Sequence, residues 1–295
     1  MATKIPYNHE LDFEYGRVDA LTPLIRRVIA NNPSAFTFHG TGTYIVGHGQ
    51  VAIVDPGPDL AEHVDALLDA IRGETVSHIL VTHTHNDHSP AVKAVQAATG
   101  APSYAYGPHG TRPEDGASEG GADYDFSPDH LIDDGDVVTG NGWSVEAVHT
   151  PGHCSNHLCF ALQEESTLLC GDHVMGWSTS IVSPPDGDMA AYMASLEKVG
   201  RHASARYFPT HGGPIDDPKP YVAALLAHRH EREDQIMAEL AAGPVTIAEM
   251  VPRMYANVDP KLYPAAARSV LAHLLHMVET ERVKADGDVY RLVTG

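Results

Sequence analysis

The sequence predicts a layered α/β (α+β) core over residues 1–220, followed by a smaller helical domain over residues 221–295. Three observations carry this. Up to Pro220, short aliphatic and β-branched runs alternate with helical patterns, as expected of strands and helices stacked in layers. Past Pro218-Lys219-Pro220 the apolar spacing turns helical, and the chain closes on two short strands around Asp286-Gly287. With 43% hydrophobic and 20% charged residues, no long segment combines low hydrophobicity with high charge, so folding is expected throughout.

In order along the chain, residues 43–47 and 51–55 form a strand pair joined by a Gly-containing turn and ended by Asp55-Pro56-Gly57-Pro58. Val64, Leu67, Leu68 and Ile71 recur at helical spacing, so residues 60–71 pack one helical face inward. A buried strand follows at 78–82, and the run His83-Thr84-His85-Asn86-Asp87-His88 sits just past its C-terminal end. A helical pattern resumes over 89–99. Between His109 and His130 a Gly-, Asp- and Glu-rich stretch has little apolar content to bury and reads as a mobile surface loop. Strands are expected at 145–149, 158–162 and 167–170, a helix at 189–202 and a further strand at 207–210. The C-terminal part holds three helical patterns, 221–241, 246–255 and 264–281, and with the terminal hairpin these make a winged-helix arrangement. No repeat or low-complexity linker separates the two parts, so they are expected to pack together.

Net charge is −20, from 19 Lys plus Arg against 39 Asp plus Glu, a field that repels polyanions at long range and favours solubility. Cys154, Cys159 and Cys170 are odd in number and lie in apolar or motif-like surroundings, which suits reduced thiols. No apolar run approaches bilayer length and no secretory signal is readable, so a cytoplasmic protein is expected, without membrane association.

Imidazole and carboxylate are suitable ligands for zinc, and the H-x-H-x-D-H run supplies four of them within six residues. A loop can fan successive side chains outward, so His85 and Asp87 can face different metals. Three further segments each end an expected strand with a ligand-type residue: Thr150-Pro151-Gly152-His153, Cys170-Gly171-Asp172 and Thr210-His211-Gly212-Gly213. Each alone is an ordinary turn as readily as a ligand; in this order, together, they form a pattern.

These segments resemble the five motifs of the metallo-β-lactamase superfamily, from about Gly40 through Gly213, with Asp55 similar to the strand-ending Asp of the first motif. The resemblance implies an αββα sandwich with the site at one edge of two sheets. It implies two divalent metal ions, Zn2+ first and Mn2+ or Fe2+ compatible with the same ligands. His83, His85 and His153 would hold one, Asp87, His88 and His211 the other, and Asp172 would bridge them, while Asp55 would support the ligand loop without touching metal. The chemistry implied is hydrolysis by a metal-bridging hydroxide, with Asp172 keeping the metals together and Asp87 orienting the hydroxide or taking its proton. The run His228-Arg229-His230-Glu231-Arg232-Glu233, the helices after it and Gly171–Gly176 resemble the β-lactamase-like-protein-2 group with its winged-helix appendix.

That group includes an RNA endonuclease, and superfamily neighbours open lactams, esters and thioesters, so resemblance supplies the reaction better than the substrate. Residues 222–295 carry 8 basic and 10 acidic side chains, which favours a small carbonyl substrate (lactam, ester or thioester) over single-stranded RNA. Arg229, Arg232, Arg268 and Lys284 remain the candidates for a local basic patch, and a DNA-binding regulator using helix 264–281 is the reading of another class. Dimerisation through the tail is compatible with any of these. His157, Trp177, Ser178 and Tyr192 are candidate substrate-pocket residues, with His157 equally readable as a proton donor or a satisfied histidine and the aromatics as core. Cys154 and Cys170 adjoin ligand motifs but read as small packing groups, since the His/Asp set has no gap.

Overall fold

Burial on both faces of its strands dictates how this chain layers. The computed structural model describes residues 3–110 and 121–293. The first sheet comprises β1 (Val18–Ala20), β2 (Ile25–Ile29), β3 (Gly42–Val46), β4 (Gln50–Val54), β5 (Thr75–Leu80), β6 (Ser103–Ala105) and β7 (His130–Leu131), in that order across the sheet. Helices α1 (Ala61–Ala70) and α2 (Val92–Thr99) connect the parallel strands β4, β5 and β6. The second sheet runs in the order β12-β11-β10-β9-β8, from β8 (Val137–Gly140), β9 (Trp143–His149), β10 (Leu158–Leu162), β11 (Thr167–Gly171) and β12 (Arg206–Pro209). Helix α3 (Met189–Arg201) is the crossover that makes β11 and β12 parallel.

Because side chains alternate along a strand, each sheet has two apolar faces to cover. Ile45 and Ile53 pack outward on Leu67 of α1 and on Val92 and Val95 of α2. Their neighbours Tyr44, Val46, Ala52 and Val54 turn inward and meet Val145, Ala147, Phe160 and Phe208 of the second sheet. On that sheet's far face, Cys159, Ala161, Leu168 and Tyr207 pack against Tyr192, Leu196 and Val199 of α3. The result is helix, sheet, sheet, helix, as the resemblance implied. Each large inward side chain contributes roughly 1.5–3 kcal/mol by burial, so all three apolar layers stabilise the sandwich.

Helix α4 (Pro218–Ala241) has two prolines in its first turn, where the missing N–H groups cost nothing. The domain boundary expected after residue 220 falls in that turn, yet α4 is shared. Tyr221, Val222 and Leu225 join the α3 layer, whereas Ile236 and Leu240 join a separate C-terminal core. That core adds Met250 and Val251 of α5 (Ile247–Met254), Val270, Leu274 and Met277 of α6 (Tyr263–Glu279), and Tyr290 of the wing. The wing is a three-stranded sheet in the order β13-β15-β14, from β13 (Val245–Thr246), β14 (Val283–Asp286) and β15 (Val289–Leu292). A capping box starts α5: Thr246 Oγ1 accepts from Glu249 N, and the Glu249 carboxylate accepts from Thr246 N.

Strands β1, β2, β6, β7 and β8 are not among those the sequence patterns announce. The pair Arg26-Arg27 interrupts the apolar signal of β2, but Arg26 reaches Glu74 and Arg27 donates to the Gly212 carbonyl, so both charges are accommodated. The expected loop at 109–130 lies partly outside the described residues. Its described end, from Gly121 on, is hydrogen-bonded to the core: Asp123 N donates to Thr84 O at 2.8 Å, Ser103 N and Oγ donate to Asp129, and Phe126 is buried. Among the described residues no helix is long and apolar enough to cross a membrane.

Candidate metal centre

Parallel pairing sets the site. With β4 and β5 parallel, the turns carrying Asp55 and His83 leave the first sheet side by side, and Asp55 N donates to Leu80 O. With β11 and β12 parallel, the Asp172 and His211 turns leave the second sheet together, and Thr210 N donates to Gly171 O. Two backbone bonds stitch the sheet ends to each other, Gly42 N to Thr210 O and Leu158 N to Thr82 O. Gly171 sits at φ +51°, and a Cβ there would lie 2.6 Å from His157 Nε2; only glycine lets the strand turn so closely into Asp172.

All seven expected ligand residues meet at this edge. His85 Nδ1 faces His83 Nε2 at 3.0 Å and His153 Nε2 at 2.9 Å. Beside them, His211 Nε2 lies 3.1 Å from Asp87 Oδ2 and 3.3 Å from Asp172 Oδ2, and His88 Nε2 lies 3.4 and 3.6 Å from the same oxygens. Asp172 Oδ2 is also 3.8 Å from His153 Nε2, which puts it between the two groups.

The far ring nitrogen of four histidines is committed to an acceptor, and this decides which nitrogen offers a lone pair inward. His88 Nδ1 donates to Asp55 Oδ2 at 2.9 Å, His153 Nδ1 to Ile181 O at 2.6 Å and His211 Nδ1 to Gly40 O at 3.2 Å. Thr82 Oγ1 gives its own hydrogen to Asp55 Oδ2, so it accepts from His83 Nδ1. Asp55 thus stands behind His88 and Thr82, away from the centre, with Thr82 N also donating to it at 2.7 Å.

Charge splits the centre into two kinds of half-site. Burial pushes His83 and His85 well below the ordinary imidazole range, and neighbouring imidazoles push further, so both are neutral donors. Burial alone would also lower His88 and His211, but Asp87 and Asp172 override it, holding His88 well above its usual value and His211 at about 10. Burial would raise both carboxylates; the facing imidazoles keep Asp87 and Asp172 well below the usual range. Buried acceptors on one side and buried negative charge on the other fit divalent cations. One proton cannot satisfy three imidazole nitrogens around His85, and His88 Nε2 and Asp172 Oδ1 are buried without a hydrogen-bond partner. Ligand-type atoms gather within 4.8 Å in three sets: His83, His85, His153 and Cys154; His83, His88 and Asp172; Asp87, His88 and His211.

A cavity of about 240 Å³ opens onto the centre, walled by Phe36, Tyr124, Met175, Ile181, Pro184 and, from α6, Arg268. None of the four pocket residues expected from sequence lines it. Tyr192 is fully buried with its hydroxyl donating to His173 O, and Trp177 stacks on Phe38 with ring centroids 4.8 Å apart. His157 is also buried: Nδ1 donates to Thr150 Oγ1, and Nε2 accepts from Asp172 N. It therefore places the Asp172 turn and has no nitrogen left for substrate; Ser178 lies outside the lining as well. Among the lining residues that the sequence does not assign to the site, Cys154 and His109 carry ligand-type atoms. Cys154, read as packing, joins the first ligand set, a position its place beside His153 hinted at. His109 reaches the cavity with Nδ1 2.9 Å from Thr84 Oγ1, and no spacing in the sequence announces it. No basic patch forms from the four cations proposed for one: Arg229 is buried against Ser180 O and Arg268 faces the cavity.

Residues 37–211 match the family described as the metallo-beta-lactamase superfamily, and residues 246–291 match the beta-lactamase associated winged helix domain. A Drosophila melanogaster protein named beta-lactamase-like protein 2 homolog is 31% identical over 288 residues, covering 92% of this chain and 95% of its own. An atrochrysone carboxyl ACP thioesterase from Cryptosporiopsis sp. is 32% identical over 262 residues, covering 81% and 74%. Among solved structures, a beta-lactamase domain protein from Burkholderia ambifaria superposes with a TM-score of 0.80 at 21% identity, covering 98% of this chain and 97% of its own. A metallo-beta-lactamase family protein from Thermus thermophilus superposes at 0.76 with 23% identity, covering 93% and 100%.

Proposed function

Because the chain belongs to the metallo-beta-lactamase superfamily, we propose that it hydrolyses an acyl thioester with a pair of divalent cations, most simply zinc. The observation that carries the two-cation reading is the position of Asp172 Oδ2, 3.8 Å from His153 Nε2 on one side and 3.3 Å from His211 Nε2 on the other. His83, His85 and His153 would hold one cation and Asp87, His88 and His211 the other. When bound, such a pair acidifies a coordinated water to near-neutral pKa and polarises a carbonyl oxygen. Asp172 then keeps both half-sites at one spacing. Asp87, held by Thr41 Oγ1 at 3.2 Å and exposed to the cavity, accepts the proton of the attacking water at its carboxylate.

The choice of thioester draws on the relative named as an ACP thioesterase and on the apolar wall of the cavity. A nucleic-acid substrate finds little support: α6, the helix that would enter a groove, buries Val270, Leu274 and Met277 and turns Arg268 to the cavity. We assign the protein to a reducing, cytoplasmic setting, in keeping with three free buried cysteines. The test is a panel of acyl-glutathione and acyl-pantetheine thioesters, a lactam, a lactone and single-stranded RNA, assayed on zinc-loaded protein beside Asp172→Ala. The expected result is thiol release that Asp172→Ala reduces about a hundred- to a thousandfold. Cleavage of RNA with no thioester hydrolysis would replace this reading with the phosphodiesterase one.

A further inference from the structure

Residues 178–187 link the Asp172 turn to α3 and touch the centre at two points. Ile181 O is the acceptor that orients His153, and Ser180 Oγ lies 2.6 Å from Asp172 O and 2.9 Å from His173 O. From its other side, the segment is gripped by the C-terminal helices. Arg229 of α4 donates from Nη2 to Ser180 O at 2.6 Å, and Arg268 of α6 donates to Ser183 Oγ at 3.1 Å. Arg229 is only 3% exposed, its guanidinium lies 5.0 Å from the Tyr192 ring centre, and its Nε has no hydrogen-bond partner. A buried guanidinium in this setting is a costly choice where a methionine would fill the space, so its worth lies in what it holds.

We infer that Arg229 is a positioning residue for the metal centre: by fixing the Ser180 carbonyl it sets the Asp172 and His153 turns, which makes the C-terminal domain part of the hydrolytic site. The inference rests on the two-cation reading above. It also gives the appended helices a task in cis that needs no nucleic acid.

The experiment compares the full-length chain with Arg229→Met, Arg229→Lys and Arg253→Ala, each loaded with Co2+. Arg253 pairs with Glu239 on an exposed face of the same domain and touches nothing near Ser180. Cobalt absorption bands report ligand geometry, and the rate of cobalt loss to a chelator reports how firmly the turns are held. Arg229→Met should shift the bands and release metal about tenfold faster, in line with the loss of a ligand-orienting contact. Arg229→Lys, which keeps a donor, should return most of the difference, and Arg253→Ala should match the parent. A folded Arg229→Met with parental bands and release rate overturns the inference while leaving the two-cation reading intact. If Arg229→Met does not fold, Arg229→Gln decides: faster release supports the inference, and a parental rate overturns it. Parent protein that takes up no cobalt defeats both readings.

Discussion

Asp55 offers the sharpest probe of how the ligands are held. Its carboxylate, 1% exposed, accepts from Thr82 N and Thr82 Oγ1 at 2.7 Å and from His88 Nδ1 at 2.9 Å. Replacement by alanine would strand these three buried donors at about 1–3 kcal/mol each, and loosen Thr210 Oγ1 at 3.4 Å, a sum comparable to the whole stability of a typical domain, so it would report on folding. Asp55→Asn is the informative change. The amide oxygen can keep the Thr82 N–H, which places the NH2 group opposite His88 Nδ1. Two donors cannot face each other, so His88 must move its proton to Nε2, the nitrogen that faces Asp87 and Asp172. A protonated Nε2 cannot ligate. The expected cost is about 10- to 100-fold in affinity for the cation at the Asp87, His88 and His211 half-site, or about 1.4–2.7 kcal/mol; Thr82 Oγ1 loses its acceptor at the same position, so the half-site of His83 weakens as well. Competition titration against a chromophoric chelator reads the two affinities, and calorimetry checks the fold. Two sites of unchanged affinity in a folded Asp55→Asn protein would refute the argument that Asp55 acts through His88.

Gly171→Ala should lower the melting temperature by several degrees, since φ +51° and a Cβ at 2.6 Å from His157 Nε2 together cost about 1–3 kcal/mol; a melting scan beside the parent checks it. Acid should weaken the fold well before ordinary carboxylates titrate. Burial lowers His63 to about 4, His228 to about 4 and His173 to about 3, so the unfolded chain binds protons that the native one refuses. The stability these neutral rings contribute is complete above the unfolded value near 6.5 and is lost as pH falls toward 4, by up to about 3 kcal/mol for His63. Denaturant melts from pH 7 to pH 4 should therefore fall in midpoint, and less steeply for His63→Gln.

Where sequence and structure agree, one periodic signal is enough. The Ile45/Ile53 alternation, the α1 spacing through Leu67 and the strand-then-ligand order at His83, His153, Asp172 and His211 are all local patterns that tertiary contacts merely complete. What stays hidden depends on partners distant in the chain. β2 pairs with β1 and β3, and its two arginines are tolerated because Glu74 and Gly212 O receive them; no window around residue 26 contains either. The cavity lining is misjudged for a related reason: Trp177, Ser178 and Tyr192 follow Asp172 in sequence, but the chain turns there. Tyr192 goes into the α3 core and Trp177 onto Phe38, while the cavity is walled by Phe36, Tyr124 and Arg268 from three separate regions. The spacing of His157 from His153 suggests a chemical group, whereas both its nitrogens are used inside the protein.

The most direct measurement is the number of divalent metal ions per chain, by elemental analysis of reconstituted protein, in the parent and in His85→Ala and His211→Ala. These variants strike opposite halves of the centre. Two equivalents in the parent and about one in each variant are predicted; a parent that holds under one equivalent and cannot be reconstituted would contradict the two-cation centre outright.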